Sequence, residues 1–160
     1  MAVSGTISSN YVGRKKDISI LQYPDASKAD SQLVATSFSK SGRFCAGVQK
    51  LIQRYTIILL TNLDSQPLYP AFGTNLLYRL RQGLPPTDRL LASQIFNTAS
   101  FSAVRVLSEY QNRHIETPLD ECITRATLTN ISLAGGSVSF AVTITTKAGD
   151  IVEFIVPLPK

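Results

Sequence analysis

The chain contains no tryptophan, one methionine, one histidine and two cysteines among its 160 residues. Cys45 and Cys122 lie far apart, and His114 has no partner at ligand spacing, so no zinc pattern exists and two buried free thiols are expected. Charged residues make up 17% of the chain and apolar residues 44%, proportions that suit a globular core and not a disordered segment. No apolar run approaches the roughly 18–20 residues needed to cross a bilayer. The opening Met1-Ala2-Val3-Ser4-Gly5 lacks the charged and apolar stretches of a secretory leader.

Acidic residues are also few, and most fall in turns, caps or the N-terminal segment: Asp25, Asp64, Asp88, Asp120 and Asp150. Glycoside hydrolysis needs two positioned carboxyl groups roughly 5–10 Å apart. Glu109 and Glu121 are the one pair to consider, and nothing in their spacing brings them together. Gly135-Gly136 sits between strand patterns, not ahead of a helix, so it is not a phosphate loop. A protein without turnover, cofactor or metal is expected, with His114 read as a cation at a helix C-terminus.

Basic residues are plentiful, and the formal net charge is +5. The excess concentrates in the middle: Lys40, Arg43, Lys50, Arg54, Arg79, Arg81, Arg89, Arg105 and Arg113 are opposed there by Asp64, Asp88 and Glu109. Two readings stand. These are the solvated faces of three helices, or they form a basic surface for nucleic acid or an acidic protein. Few aromatics accompany the arginines, which weighs against single-strand stacking.

Residues 1–40 are polar and weakly periodic and read as an extended arm, with short ordered pieces near Ile18–Pro24 and Gln32–Phe38. Residues 41–160 read as one α+β domain of about three helices on a small C-terminal antiparallel sheet. From Arg43 to Leu60, the residues Phe44, Val48, Leu51, Ile52, Tyr55, Ile58 and Leu59 recur at helical spacing. Ser41 is the expected cap, and Lys50 and Arg54 fall on the opposite, solvated face. Thr74 is expected to cap a short second helix ended by Gly83 and Pro85-Pro86. Thr87 is expected to cap a third, with Leu91, Ile95, Val104, Leu107 and Tyr110 buried and a bend possible at Thr98-Ala99-Ser100. Thr127–Leu133, Ser137–Thr146 and Ile151–Val156 read as strands turning at Gly135-Gly136 and Ala148-Gly149-Asp150. Val138, Phe140, Val142 and Ile144 share one face.

Between the first two helices runs Leu59-Leu60-Thr61-Asn62-Leu63-Asp64-Ser65-Gln66-Pro67-Leu68-Tyr69-Pro70-Ala71-Phe72-Gly73, a stiff connection with an aromatic anchor, Phe72, ahead of a permissive glycine. A helix ending Leu-Leu-Thr-Asn, a polar turn, then Pro70-Ala71-Phe72-Gly73 and a new Leu-Leu helix resembles the sheath-initiator family. This family, often labelled "lysozyme-like", comprises baseplate wedge components of contractile phage tails, with counterparts in type VI secretion baseplates. Leu63-Asp64-Ser65-Gln66 departs from the Pro-Gly-Glu-Arg usual there. At the sheet entrance Glu121 and Ile123 match the family's acidic and aliphatic positions, while Cys122 replaces its arginine. Arg125, expected on the same strand face as Ile123, is the candidate substitute.

The resemblance spans about Val48 to Val156 and implies a structural protein of the virion baseplate, made in the host cytoplasm and present in six copies. It would join wedge proteins to the first ring of tail sheath protein, with tube or hub proteins as further neighbours, and with no membrane or nucleic-acid partner. Pro70, Phe72, Gly73, Glu121 and Arg125 would make the baseplate contact. The strand Ile151, Val152, Glu153, Phe154, Ile155 and Val156 is expected to be the edge that accepts sheath strands. Removing residues 151–160 is expected to abolish sheath co-assembly and leave the helices folded. A tail terminator or connector would share the arm and the edge strand. A basic nucleic-acid-binding module would show binding that weakens steeply with salt.

Overall fold

The computed structural model describes residues 13–22, 35–36, 44–82, 88–134 and 137–158. The domain is α+β. Three helices, α1 (Val48–Leu60), α2 (Leu76–Arg81) and α3 (Arg89–Arg113), accompany a three-stranded antiparallel sheet of β5 (Ile123–Ala134), β6 (Ser137–Thr146) and β7 (Ile151–Pro157), in the order β5-β6-β7. Two short antiparallel pairs precede the sheet: β1 (Asp17–Ile18) with β4 (Phe44–Cys45), and β2 (Leu21–Gln22) with β3 (Ala35–Thr36). Of the expected arm pieces near 18–24 and 32–38, Ile18, Leu21–Gln22 and Ala35–Thr36 lie in these two-residue strands, and residues 23–24, 32–34 and 37–38 lie outside the described residues. Ser41, Gly83, Pro85-Pro86, Thr87 and Gly135-Gly136 lie outside the described residues.

The core lies between the helices and one face of the sheet. Leu51, Ile52, Tyr55 and Leu59 of α1 meet Phe96, Ala103 and Leu107 of α3, with Phe140, Val142 and Ile144 of β6 beneath them. Each of the larger side chains contributes about 1.5–3 kcal/mol by leaving water. Phe96 stacks on Phe140 with centroids 4.5 Å apart, and Tyr55 meets Phe154 edge-on at 6.0 Å. The Tyr55 hydroxyl pairs with Ser100 Oγ at 2.8 Å, which keeps the buried phenol hydrogen-bonded. The one-sided pattern on β6 follows the period of two, as expected.

Several elements differ from the sequence reading. α1 begins at Val48, not near Arg43, because Gly47 stands at φ 61° and ψ −139°, which a helix cannot include. Phe44 therefore leaves the helix face, pairs with Ile18 across β1 and β4, and is exposed. α3 runs unbroken through Thr98-Ala99-Ser100. Thr98 Oγ1 bonds back to the Gln94 carbonyl and Ser102 Oγ to that of Thr98, so these hydroxyls are accommodated within the helix. Asp88 caps it, accepting from the Leu91 N–H at 2.9 Å. Its buried stripe is Ala92, Phe96, Ala99, Ser100, Ala103, Leu107 and Gln111. Of the expected set only Leu107 belongs to it. Leu91 and Tyr110 are exposed, and Ile95 and Val104 are half-buried, because the small residues let α1 and the sheet approach on the neighbouring face.

Strand β5 is bulged twice, between Ile123 and Arg125 and between Leu128 and Asn130. Its inward residues are Ile123, Ala126, Leu128, Ile131 and Leu133, and each step of three spans a bulge. This explains why Leu128, Ile131 and Leu133 look out of phase in the sequence.

The connection from α1 to α2 closes on itself. Asn62 and Thr74 bridge in parallel, Thr74 N–H donates to Thr61 O at 2.8 Å and Leu63 N–H to Thr74 O at 3.0 Å. The Thr74 hydroxyl donates to Leu59 O and accepts from Leu76 N–H, but the N-cap of α2 is Asn75, not the expected Thr74. Gly73 sits at φ 111°, and a Cβ there would lie 2.7 Å from Thr61 O. Gly73→Ala is expected to destabilise the fold by about 2–4 kcal/mol, from backbone strain together with that overlap. Ala71→Gly in the same exposed loop is expected to cost less than about 1 kcal/mol. Urea unfolding of both variants checks this.

Candidate functional site

Two extended segments are held to the helices by side-chain amides that imitate a neighbouring strand. Gln111 Nε2 donates to the Glu121 carbonyl at 2.7 Å, and its Oε1 accepts from the Ile123 N–H at 3.0 Å. Gln53 treats the arm identically, donating to Ile18 O at 2.9 Å and accepting from Ile20 N–H at 2.8 Å. In each case one amide satisfies the carbonyl of one residue and the N–H two residues on.

Between these clamps lies a buried ion pair. Lys50 and Glu121 are 5% and 4% exposed, with Nζ and Oε2 2.9 Å apart. Glu121 Oε1 accepts from Gly47 N–H at 3.1 Å, and Lys50 Nζ also donates to Lys15 O at 3.0 Å. Three more pairs surround it. Arg14 Nη1 contacts both oxygens of Asp120 at 2.6 and 2.7 Å, Arg54 meets Asp17 at 3.0 Å, and Lys15 meets Glu116 at 2.9 Å. The last is fully exposed. Its hydrogen bond and charge hold the Glu116 carboxyl below the ordinary range and raise Lys15.

The face of α1 carrying Lys50 and Arg54 is thus covered by residues 14–20 of the same chain, not solvated. Glu121 is a buried structural carboxylate, not a surface contact. Arg125, expected on the same strand face as Ile123, is on the other face: the first bulge turns it to the exposed side while Ile123 points into the core. The cation beside Glu121 is Lys50 of α1. The one advance sign of this hub is that Gln111 extends the buried stripe of α3 with a polar residue.

The third strand offers an open edge. β7 pairs with β6 in unbroken register from Thr145↔Ile151 to Ser139↔Pro157. Leu158 N–H donates to Val138 O, and Asp150 O accepts from Thr146 N–H. Even-numbered residues therefore aim their main-chain groups at β6, since the direction alternates along a strand. Ile151, Glu153, Ile155 and Pro157 aim theirs at the other edge, where no strand pairs among the described residues. Three N–H groups and four carbonyls result, and Pro157 lacks a donor. Val152, Phe154 and Val156 point into the core, while Ile151 and Glu153 lie on the outer face. There Thr129 Oγ1 donates to Glu153 Oε1 at 2.9 Å. The other outer edge, β5, has its hydrogen-bonding frame interrupted by the bulges, a recognised obstacle to strand addition.

The core role of Val152, Phe154, Val156 and Leu158 corrects one expectation: removal of residues 151–160 would open the core and not merely an edge.

The residues of the sequence motif do not form one surface. Pro70 is exposed, Phe72 is half-buried against the core and Gly73 is buried in the loop neck. Glu121 is tied to the start of α1 and the end of α3. The loop tip presents Leu68, 87% exposed, and Tyr69, 67% exposed. Glu109 pairs with Arg105 on the exposed side of α3, apart from buried Glu121. His114 is the C-cap of α3, stacked on Tyr110 with Nδ1 2.9 Å from the Tyr110 carbonyl. Cys45 and Cys122 are free and buried, and burial pushes both thiols up, so both stay protonated at neutral pH. Among the described residues no group of three or more His, Cys, Asp or Glu could hold a metal, and no helix is long and apolar enough to cross a membrane. Comparison with protein-family models, curated proteins and solved structures found no match.

Lys50→Met is expected to cost about 3–5 kcal/mol, because it leaves the Glu121 carboxylate buried without its cation. Lys50→Met combined with Glu121→Leu is expected to recover part of that loss. The remainder reflects the Gly47 N–H and Lys15 carbonyl left without partners. Chemical denaturation of the two variants gives both values.

Proposed function

We propose that this chain is a structural component of a contractile-tail baseplate that receives an extended segment of the tail sheath protein on β7 and so starts sheath assembly. The observation that carries the reading is the unbulged outer edge of β7, with Ile151, Glu153, Ile155 and Pro157 presenting main-chain groups beside a buried inner face. Such an edge adds strands by main-chain hydrogen bonding, while alternate side chains select the partner. An incoming segment of about six residues, the usual strand length, would match it. The helical layer would rest on wedge proteins, with six copies per baseplate, and with no chemical turnover. The Pro70–Gly73 and Glu121 positions that resemble the sheath-initiator family support this reading through the fold they stabilise, not as a shared contact.

The edge geometry provides a test that spares the core. Glu153→Pro removes an outward donor and no bond to β6, so the fold is expected to survive with a melting temperature lowered by a few degrees. Co-assembly with sheath protein is expected to be lost. Phe154→Pro removes an inward donor and a core aromatic, and it is expected to unfold the domain. Pull-down of sheath and wedge proteins with the wild type and Glu153→Pro, alongside circular dichroism, checks this. Unchanged sheath capture by a folded Glu153→Pro variant would rule out the β7 edge as the receptor.

A further inference from the structure

The two ends of the helical layer use their charges differently. The start of α1 and the end of α3 converge on Glu121, while Tyr55 in mid-α1 reaches Ser100, so the two helices run antiparallel. The end of α1, the closed loop, α2 and the first turn of α3 therefore gather at the opposite pole, where α2 packs on both longer helices. At the Glu121 pole Arg14, Lys15, Lys50 and Arg54 each meet a carboxylate. At the α2 pole Arg79, Arg81 and Arg89 are exposed, and none forms an ion pair among the described residues. The adjacent carboxylate, Asp88, is occupied in capping Leu91 N–H. Arg89 also stands in the first turn of α3, where the helix dipole disfavours a cation. Tyr78 and Leu90 are exposed beside these arginines, at 58% and 70%.

We infer that the α2 pole, centred on Arg79, Arg81 and Arg89 with Tyr78 and Leu90, docks a carboxylate-bearing protein surface that has apolar residues among its acids. Three cations that form no ion pair among the described residues set the sign of the partner, and the rim charges orient and accelerate its approach. The exposed leucine and tyrosine favour a protein surface over a phosphate backbone, because phosphates offer Leu90 no apolar contact. This surface is separate from the β7 edge and holds whether or not the chain starts a sheath.

The test uses the full chain and three probes. The first is a synthetic amphipathic helical peptide of about twenty residues, with glutamates flanking a leucine stripe. The second is the same peptide with lysine for glutamate, and the third is duplex DNA of about twenty base pairs. The acidic peptide is expected to bind, to weaken as salt rises, and to shift the amide resonances of residues 76–82 and 88–91. The variant Arg79→Glu/Arg81→Glu/Arg89→Glu is expected to lose about tenfold or more in affinity, since each rim charge changes from attraction to repulsion. Arg79→Gln/Arg81→Gln/Arg89→Gln is expected to lose a smaller factor. All three side chains are exposed and a glutamate at position 89 suits the helix dipole, so an unchanged melting temperature is the control for folding. Equal binding of the acidic peptide to the wild type and the charge-reversed variant would overturn the proposal. So would equal binding of the lysine peptide, tighter binding of DNA than of the acidic peptide, or no binding of the acidic peptide.

Discussion

The buried pair of Lys50 and Glu121 is the constraint on which the arrangement of this domain depends. Four separate parts of the chain meet there: the arm through the Lys15 carbonyl, the start of α1 through Gly47, the end of α3 through Gln111, and the sheet entrance through Glu121. A buried ion pair is a weak source of net stability, because desolvating two charges costs about what their attraction returns. Its effect is on specificity. Any packing that moves α1 along its axis, or shifts the entry of β5, leaves a charge buried alone. The apolar core would tolerate a shallow set of such slips, since Leu, Ile and Val side chains repack readily. Each such slip would also part the two glutamine clamps from the main-chain groups they hold.

That network was also what the sequence concealed. The helices, the α+β class and the inward face of β6 follow from periodicity that any reader can count, because Phe140, Val142 and Ile144 alternate without interruption. Lys50 looks solvated because a lysine off the apolar stripe usually is. It is buried because residues 14–20, weakly patterned and remote in sequence, lie across it. Long-range coverage of a polar face leaves no local trace. α3 misleads for a related reason. Alanine and serine look like poor core residues, yet Ala92, Ala99, Ser100 and Ala103 are buried because they permit close approach, while larger Leu91 and Tyr110 remain outside. The candidate edge was legible as a strand. Its double role, with one set of side chains in the core and the alternate main-chain groups outward, needed the register.

The bulges in β5 and their absence from β7 make the two sides of the sheet unequal. A bulge increases local twist and breaks the spacing of donors and acceptors, so an added strand could pair with β5 only in short pieces. Along β7 the spacing is regular until Pro157 removes the next donor. The edge is also stiff. Val152, Phe154 and Val156 are anchored beneath α1 and α3, and Glu153 is tied across the outer face to Thr129. An edge held in place from both faces loses little entropy when another strand joins it. The β7 edge is anchored by the core beneath it, and the ion pair ties the sheet's entrance to α1. A strand added to this edge would draw on order already established within a single chain.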